Sequence, residues 1–183
     1  FSVPLGVQYG RSPGDISIDA SFLTRPEGTT SAFVGGAINI ESAIISTPAS
    51  SLEIGTVANS IVKIDTDNIL NLEFEEDMLA GDIRILNSRL FTGVTGDGDG
   101  GNLTVTSESA VIQNSQLDTS VRDGTAGNLT LGIQGSLLVA ENSVLTSEIF
   151  GDGNGGQLSI NAGSANISNT RIDTSVIDGN SGV

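Results

Sequence analysis

The sequence predicts an all-β solenoid, a parallel β-helix of about eight coils. Three observations carry that prediction. An asparagine followed by a small hydroxyl residue, any residue, then Leu or Ile occurs four times. The copies start at Asn87, Asn114, Asn142 and Asn169, spaced 27, 28 and 27 residues apart. Glycine-rich turns keep the same register: Gly96-Asp97-Gly98-Asp99-Gly100-Gly101 returns 55 positions later as Gly151-Asp152-Gly153-Asn154-Gly155-Gly156. So does Leu117-Asp118-Thr119-Ser120-Val121, as Ile172-Asp173-Thr174-Ser175-Val176. Thirdly, the apolar residues alternate with polar ones over short runs, the period of a strand with one buried face.

Residues 1–80 are the less repetitive part. Arg11-Ser12-Pro13-Gly14 reads as a turn. Strand alternation follows at Asp15-Ile16-Ser17-Ile18-Asp19, Ala37-Ile38-Asn39-Ile40-Glu41 and Ser51-Leu52-Glu53-Ile54-Gly55. Ile61-Val62-Lys63-Ile64 and Leu70-Asn71-Leu72-Glu73-Phe74 continue the pattern and are expected to add further coils. Glu73 to Leu79 is expected to make a short helical turn or a protruding loop.

From Gly81 the rhythm is regular, and residues 81–183 are expected to form uniform coils. First strands follow a glycine at Asp82, Asn102, Asn128 and Gln157. Second strands lie at Ala110-Val111-Ile112, Leu137-Leu138-Val139 and Ala165-Asn166-Ile167, each leading to an Asn motif, and third strands begin at Leu117, Leu145 and Ile172. Strands this short bury no face alone, so each coil must stack on its neighbours. Equivalent aliphatic positions then form rows along the axis. An Asn at the same corner of successive coils accepts a turn conformation most residues resist, and its amides can form a ladder. Asn87, Asn114, Asn142 and Asn169 are therefore expected as a structural ladder. At the strand spacing of about 4.8 Å, eight coils make a rod of roughly 35–40 Å. A β-sandwich or propeller is the alternative, but hairpins do not require an Asn corner to recur with each whole coil.

Composition agrees. Six Phe, one Tyr and no Trp are few for a globular core of 183 residues, and a narrow core of stacked aliphatic rows needs no more. With 22 acidic residues, 7 basic and no histidine, the net charge of −15 disfavours nucleic acid and anionic membrane surfaces as partners. No apolar run is long enough for a transmembrane segment. Zero cysteines exclude disulfides and thiolate metal sites. Phe1 is no start methionine and no signal-peptide pattern follows it, so the chain reads as a processed or excised piece.

Two N-terminal stretches carry a family resemblance. Pro4-Leu5-Gly6-Val7-Gln8-Tyr9-Gly10 with Pro13-Gly14-Asp15-Ile16 resembles the PLGLQF…PG-x-I segment of two-partner secretion exoproteins, the filamentous-haemagglutinin-like family, most of all its cyanobacterial type. Phe33-Val34-Gly35-Gly36 and Leu52-Glu53-Ile54-Gly55-Thr56-Val57 resemble its ALVGG-x-I…IELGSV stretch, and the Gly-Gly-Asn-Leu-Thr-Val and Asn-Ser-x-Leu coils resemble its repeats. The family's early NPNG-type motif has no counterpart, and Thr30-Ser31-Ala32-Phe33 stands where Thr-Leu-Ala-Leu is common. Residues 1–80 thus resemble the later half of a secretion domain. The resemblance implies a right-handed parallel β-helix, secreted to the cell surface or exterior of a Gram-negative-type bacterium through an outer-membrane β-barrel transporter. It implies a structural or adhesive role.

Three chemistries compete with that role. Asp97, Asp99 and Asp152 are candidate calcium ligands, but they lack the nonapeptide period of calcium β-rolls, and Asp and Gly are ordinary turn residues; no cofactor is expected, calcium being the alternative. Asp118 and Asp173 supply carboxylates about 10 Å apart by strand spacing, yet they recur because the whole repeat does; no enzyme is expected. Asn102-Leu103-Thr104, Asn128-Leu129-Thr130 and Asn166-Ile167-Ser168 match glycosylation sequons and read better as coil residues. Exposed strand edges make end-to-end or lateral self-association an expected interaction, and surface glycans are the alternative partner.

Overall fold

The computed structural model describes residues 6–65, 71–74 and 81–177. Pro4-Leu5, most of Glu73–Leu79 and the terminal Gly182-Val183 lie outside them. The described residues are all-β and built mainly of parallel sheets.

Followed along the chain, the strands fall into six stacked levels. β1 (Gly6–Gln8) stands apart. Level one holds β2 (Ile16–Asp19), β3 (Phe22–Thr24) and β4 (Ser31–Gly35); level two holds β5 (Ile38–Glu41), β6 (Ile44–Ser46) and β7 (Leu52–Thr56). Next come β8 (Ile61–Asp65) and β9 (Asn71–Glu73), which leave the stack. Level three has β10 (Asp82–Leu86), β11 (Arg89–Phe91), β12 (Val94–Asp97) and β13 (Leu103–Ser107). Level four has β14 (Ser109–Gln113), β15 (Gln116–Asp118), β16 (Val121–Thr125) and the first half of β17 (Leu129–Ala140). The second half of β17 opens level five, with β18 (Ser143–Thr146), β19 (Gly153–Asn154) and the first half of β20 (Leu158–Ile167). The rest of β20 and β21 (Thr170–Asp173) form level six.

Each strand pairs in parallel with its equivalent one level away, without a register slip at the inward positions. One row runs Ile18, Ile40, Ile85, Ile112, Val139, Ile167. A second runs Leu23, Ile45, Leu90, Leu117, Leu145, Ile172. A third runs Phe33, Ile54, Val105, Leu131, Ile160. Members in the middle levels, such as Ile85, Ile112 and Leu117, are fully buried, whereas Ile172 in level six is 44% exposed. Stacking is what removes these side chains from water, each contributing about 1.5–3 kcal/mol. A smaller row of Val94, Val121, Ile149 and Val176 packs under the glycine-rich loops with Ala126.

Among the described residues six levels stand where eight coils were expected, so the stack they form spans about 24 Å by strand spacing. The difference lies in residues 57–81. Ile61–Asp65 and Asn71–Glu73 do not add coils; β8 pairs antiparallel with both β1 and β9. Alternation of period two is the same for a coil strand and a hairpin strand, so the pattern could not separate them. Phe74, after β9, lies over the outside of β7: its ring meets Gly55 so closely that no Cβ would fit there. All five residues of β7 are buried, including Glu53 on its outward face. The parallel sheets continue from level two to level three, β5 on β10, β6 on β11 and β7 on β13.

Candidate functional site

The corner after each level's opening strand is the most regular feature of the molecule. Asn87, Asn114, Asn142 and Asn169 all have left-handed φ, at 51, 47, 60 and 49°. The Asn114 amide donates to Asn87 Oδ1 at 2.8 Å, and the Asn169 amide to Asn142 Oδ1 at 3.0 Å. The same corner in levels one and two is occupied by Ala20 (φ 45°) and Ser42 (φ 53°). Their N–H groups bond to Glu41 and Leu86 of the next level, just as Asn87 N–H bonds to Gln113. Neither residue advertises a left-handed turn, so the first two members of the column were not legible. Level five carries one extra residue: Glu141 and Asn142 are both left-handed, which accounts for the single spacing of 28.

Beside the amides runs a second column that sequence reasoning missed, although its signal was the small hydroxyl in the motif. Ser88, Ser115 and Ser143 are buried. Ser115 Oγ donates to the Gln113 carbonyl and accepts the Ser88 N–H; Ser143 Oγ does the same for Ala140 and Ser115. A buried N–H that a strand cannot satisfy at a corner is thereby paired, which is worth more than a surface bond because leaving it orphaned costs about 1–3 kcal/mol. Farther round, Thr92 and Thr119 hydroxyls bind the Gly101 and Gly127 carbonyls and close the glycine-rich loops.

The acidic loops use their carboxylates on the backbone. Asp99 Oδ1 accepts the Thr125 N–H at 2.8 Å, and Asp123 Oδ1 accepts the Asp152 N–H at 2.9 Å. Among the described residues no group of three or more acidic side chains is arranged to hold a metal ion. The sequon residues are likewise engaged: Asn102 Oδ1 accepts from Asn128 N–H and Asn128 Oδ1 from Gln157 N–H.

The flank formed by β11, β15, β18 and β21 gathers the polar chemistry. Asp118 is buried and fully engaged: its Oδ1 caps the Ser120 N–H, and its Oδ2 takes Gln116 at 2.9 Å and Arg89 at 3.4 Å. Asp173, two levels away through Thr146, caps Ser175 N–H in the same fashion. Arg171 grips Asp173 at 2.7 Å and Glu148 at 2.5 Å. Burial, reinforced by the nearby Asp173, pushes the Glu148 carboxyl above its usual value. Hydrogen bonds from Arg171 and Ser175 hold Asp173 well below the carboxylate range.

Between levels three and five this flank opens into a cavity of about 470 Å3, lined by Arg89, Phe91, Val94, Asp118, Arg122 and Phe150 among others. Arg89 lies 5.2 Å from the centre of the Phe91 ring, and Phe150 is 52% exposed. Two of the six phenylalanines, 59 positions apart, line the same groove only because a single level is stacked between theirs.

The architecture defines a class, an all-β protein of stacked parallel levels with a polar ladder at one corner. Comparison with protein-family models, curated proteins and solved structures returned no match. Among the described residues no helix is long and apolar enough to cross a membrane.

Proposed function

We propose that the chain is a stretch of right-handed parallel β-helix within a secreted, filamentous-haemagglutinin-like exoprotein. It serves as a non-enzymatic rod in a cell-surface or extracellular fibre of a Gram-negative-type bacterium. The single observation that carries this reading is the column of left-handed corners, Ala20, Ser42, Asn87, Asn114, Asn142 and Asn169, one per level. Levels that repeat without slip spread a load over many parallel backbone hydrogen bonds, which suits a rod. The absence of cysteines suits passage through an outer-membrane β-barrel transporter as an unfolded chain. The test is to express the chain's parent with and without its transporter. Arrival outside the cell, as protease-accessible rods and only with the transporter, is expected; retention behind the outer membrane when the transporter is present would sink the reading. A second reading, a glycan-binding adhesin module, is favoured by the groove between Phe91 and Phe150.

A further inference from the structure

We propose that the groove bounded by Phe91, Arg89, Asp118, Arg122 and Phe150 is a binding site for neutral pyranose chains. The inference rests on the glycan-binding reading and adds the class of sugar.

The size fits: about 470 Å3 lies within the ~300–1,000 Å3 range of small-molecule sites. The two aromatic side chains belong to levels three and five, so the floor between them is about 10 Å long and runs along the stack axis. That floor is level four, with Asp118 and Val121. Phe150 is half exposed at the rim of this groove, and a sugar ring has a flat C–H face that an aromatic ring covers well.

The polar groups are pre-set. Arg89 is held from below by Asp118 and from the side by the Phe91 ring. One Nη is spent on Asp118, and the guanidinium has further N–H donors for vicinal hydroxyls. Asp118 is itself locked by Gln116 and the Ser120 N–H, so little side-chain entropy remains to be lost on binding.

Charge decides which sugars. Each arginine of the groove faces a carboxylate, Arg89 with Asp118 at 3.4 Å and Arg122 with Asp123 at 3.6 Å. The site is therefore locally neutral, inside a chain whose net charge of −15 repels polyanions. Uronic or sulfated chains gain no uncompensated cation here and meet a repulsive field on approach.

The experiment titrates the 183-residue chain with cellotetraose, maltotetraose, mannotetraose and galactotetraose, and with a heparin-derived tetrasaccharide, by calorimetry and saturation-transfer NMR. At least one neutral tetrasaccharide is expected to bind, about tenfold more weakly to Phe150→Ala and more tightly to Phe150→Trp. A melting temperature of Phe150→Ala equal to that of the parent chain, checked alongside, separates lost binding from lost folding; the Trp variant keeps the test open if the Ala variant fails to fold. Preference for the heparin fragment overturns the neutral-sugar assignment while leaving a glycan-binding role standing. Failure of every sugar to bind at millimolar concentration overturns both, and neutral-sugar affinity that neither Phe150 variant changes overturns the groove as the site while leaving a glycan-binding role standing.

Discussion

Glu53 offers the sharpest test of how the outer face of β7 is covered. On a regular outward strand position this carboxylate would be hydrated. Here it is 3% exposed, between Ala32 and Thr104 of the adjoining strands. Burial pushes its carboxyl from 4.5 up to about 7, and a hydrogen bond with Thr104 offsets this only in part. The folded state therefore keeps the proton over a window in which the unfolded chain has lost it. The sign follows: the stability this group allows is fully present below pH about 4.5, declines as pH rises to about 7, and is then flat. At about 1.4 kcal/mol per pH unit, the loss totals about 3 kcal/mol. Glu53→Gln removes the ionisation but keeps the shape and the bond to Thr104. Urea unfolding of both proteins across this range cancels every other carboxylate in the difference. The Gln variant is expected to gain on the wild type steadily between the two pH limits, and to melt roughly 6–12 °C higher above neutrality. A difference that does not change with pH would refute the reasoning, because it would mean that water reaches Glu53 on the outer face of β7.

Three further outcomes are expected. Asn114→Ala loses its amide bond to Asn87 and forces Ala into a left-handed turn, costing about 1–3 kcal/mol, while Asn114→Gly loses only the bond and costs less; equal costs in urea unfolding would show that the corner geometry is not what selects Asn. Leu117→Ala in fully buried level four should cost about 2–5 kcal/mol and Ile172→Ala in level six under about 1 kcal/mol, a contrast readable from melting temperatures. A Cβ at Gly101 collides with the Ser50 carbonyl of the level beneath, whereas Gly96 has open space around it. Gly101→Ala is therefore expected to lose about 2–4 kcal/mol and soluble yield, and Gly96→Ala neither.

Much of the architecture was legible because the stack is a one-dimensional repeat. Where one level sits on the next, equivalent residues face equivalent surroundings, and the chain repeats them: Asn87 to Asn114, Gly98 to Gly153, Asp118 to Asp173. The all-β class, the parallel stacking and the strands on either side of each Asn corner follow from that alone, whereas β12, β16 and β19, in the glycine-rich loops, did not show as strands. The corners at Ala20 and Ser42 did not show, because a left-handed turn held by neighbours on both sides tolerates residues that would not choose it unaided. The serine column went unread for a different reason: a small hydroxyl at a corner is equally at home in water, and only burial reveals that it is pairing backbone N–H groups.

What the sequence determined by itself is the periodic part, since period is a local property that each coil writes into its own residues. Only the tertiary structure decided where the period breaks: β8 turning aside to pair antiparallel with β1 and β9, Phe74 closing over Gly55, and Glu53 losing its water. It likewise decided that Phe91 and Phe150 flank one groove. Such contacts join residues whose spacing matches no repeat, so the loop that brings them together leaves no periodic trace, and their partners are fixed by packing in three dimensions.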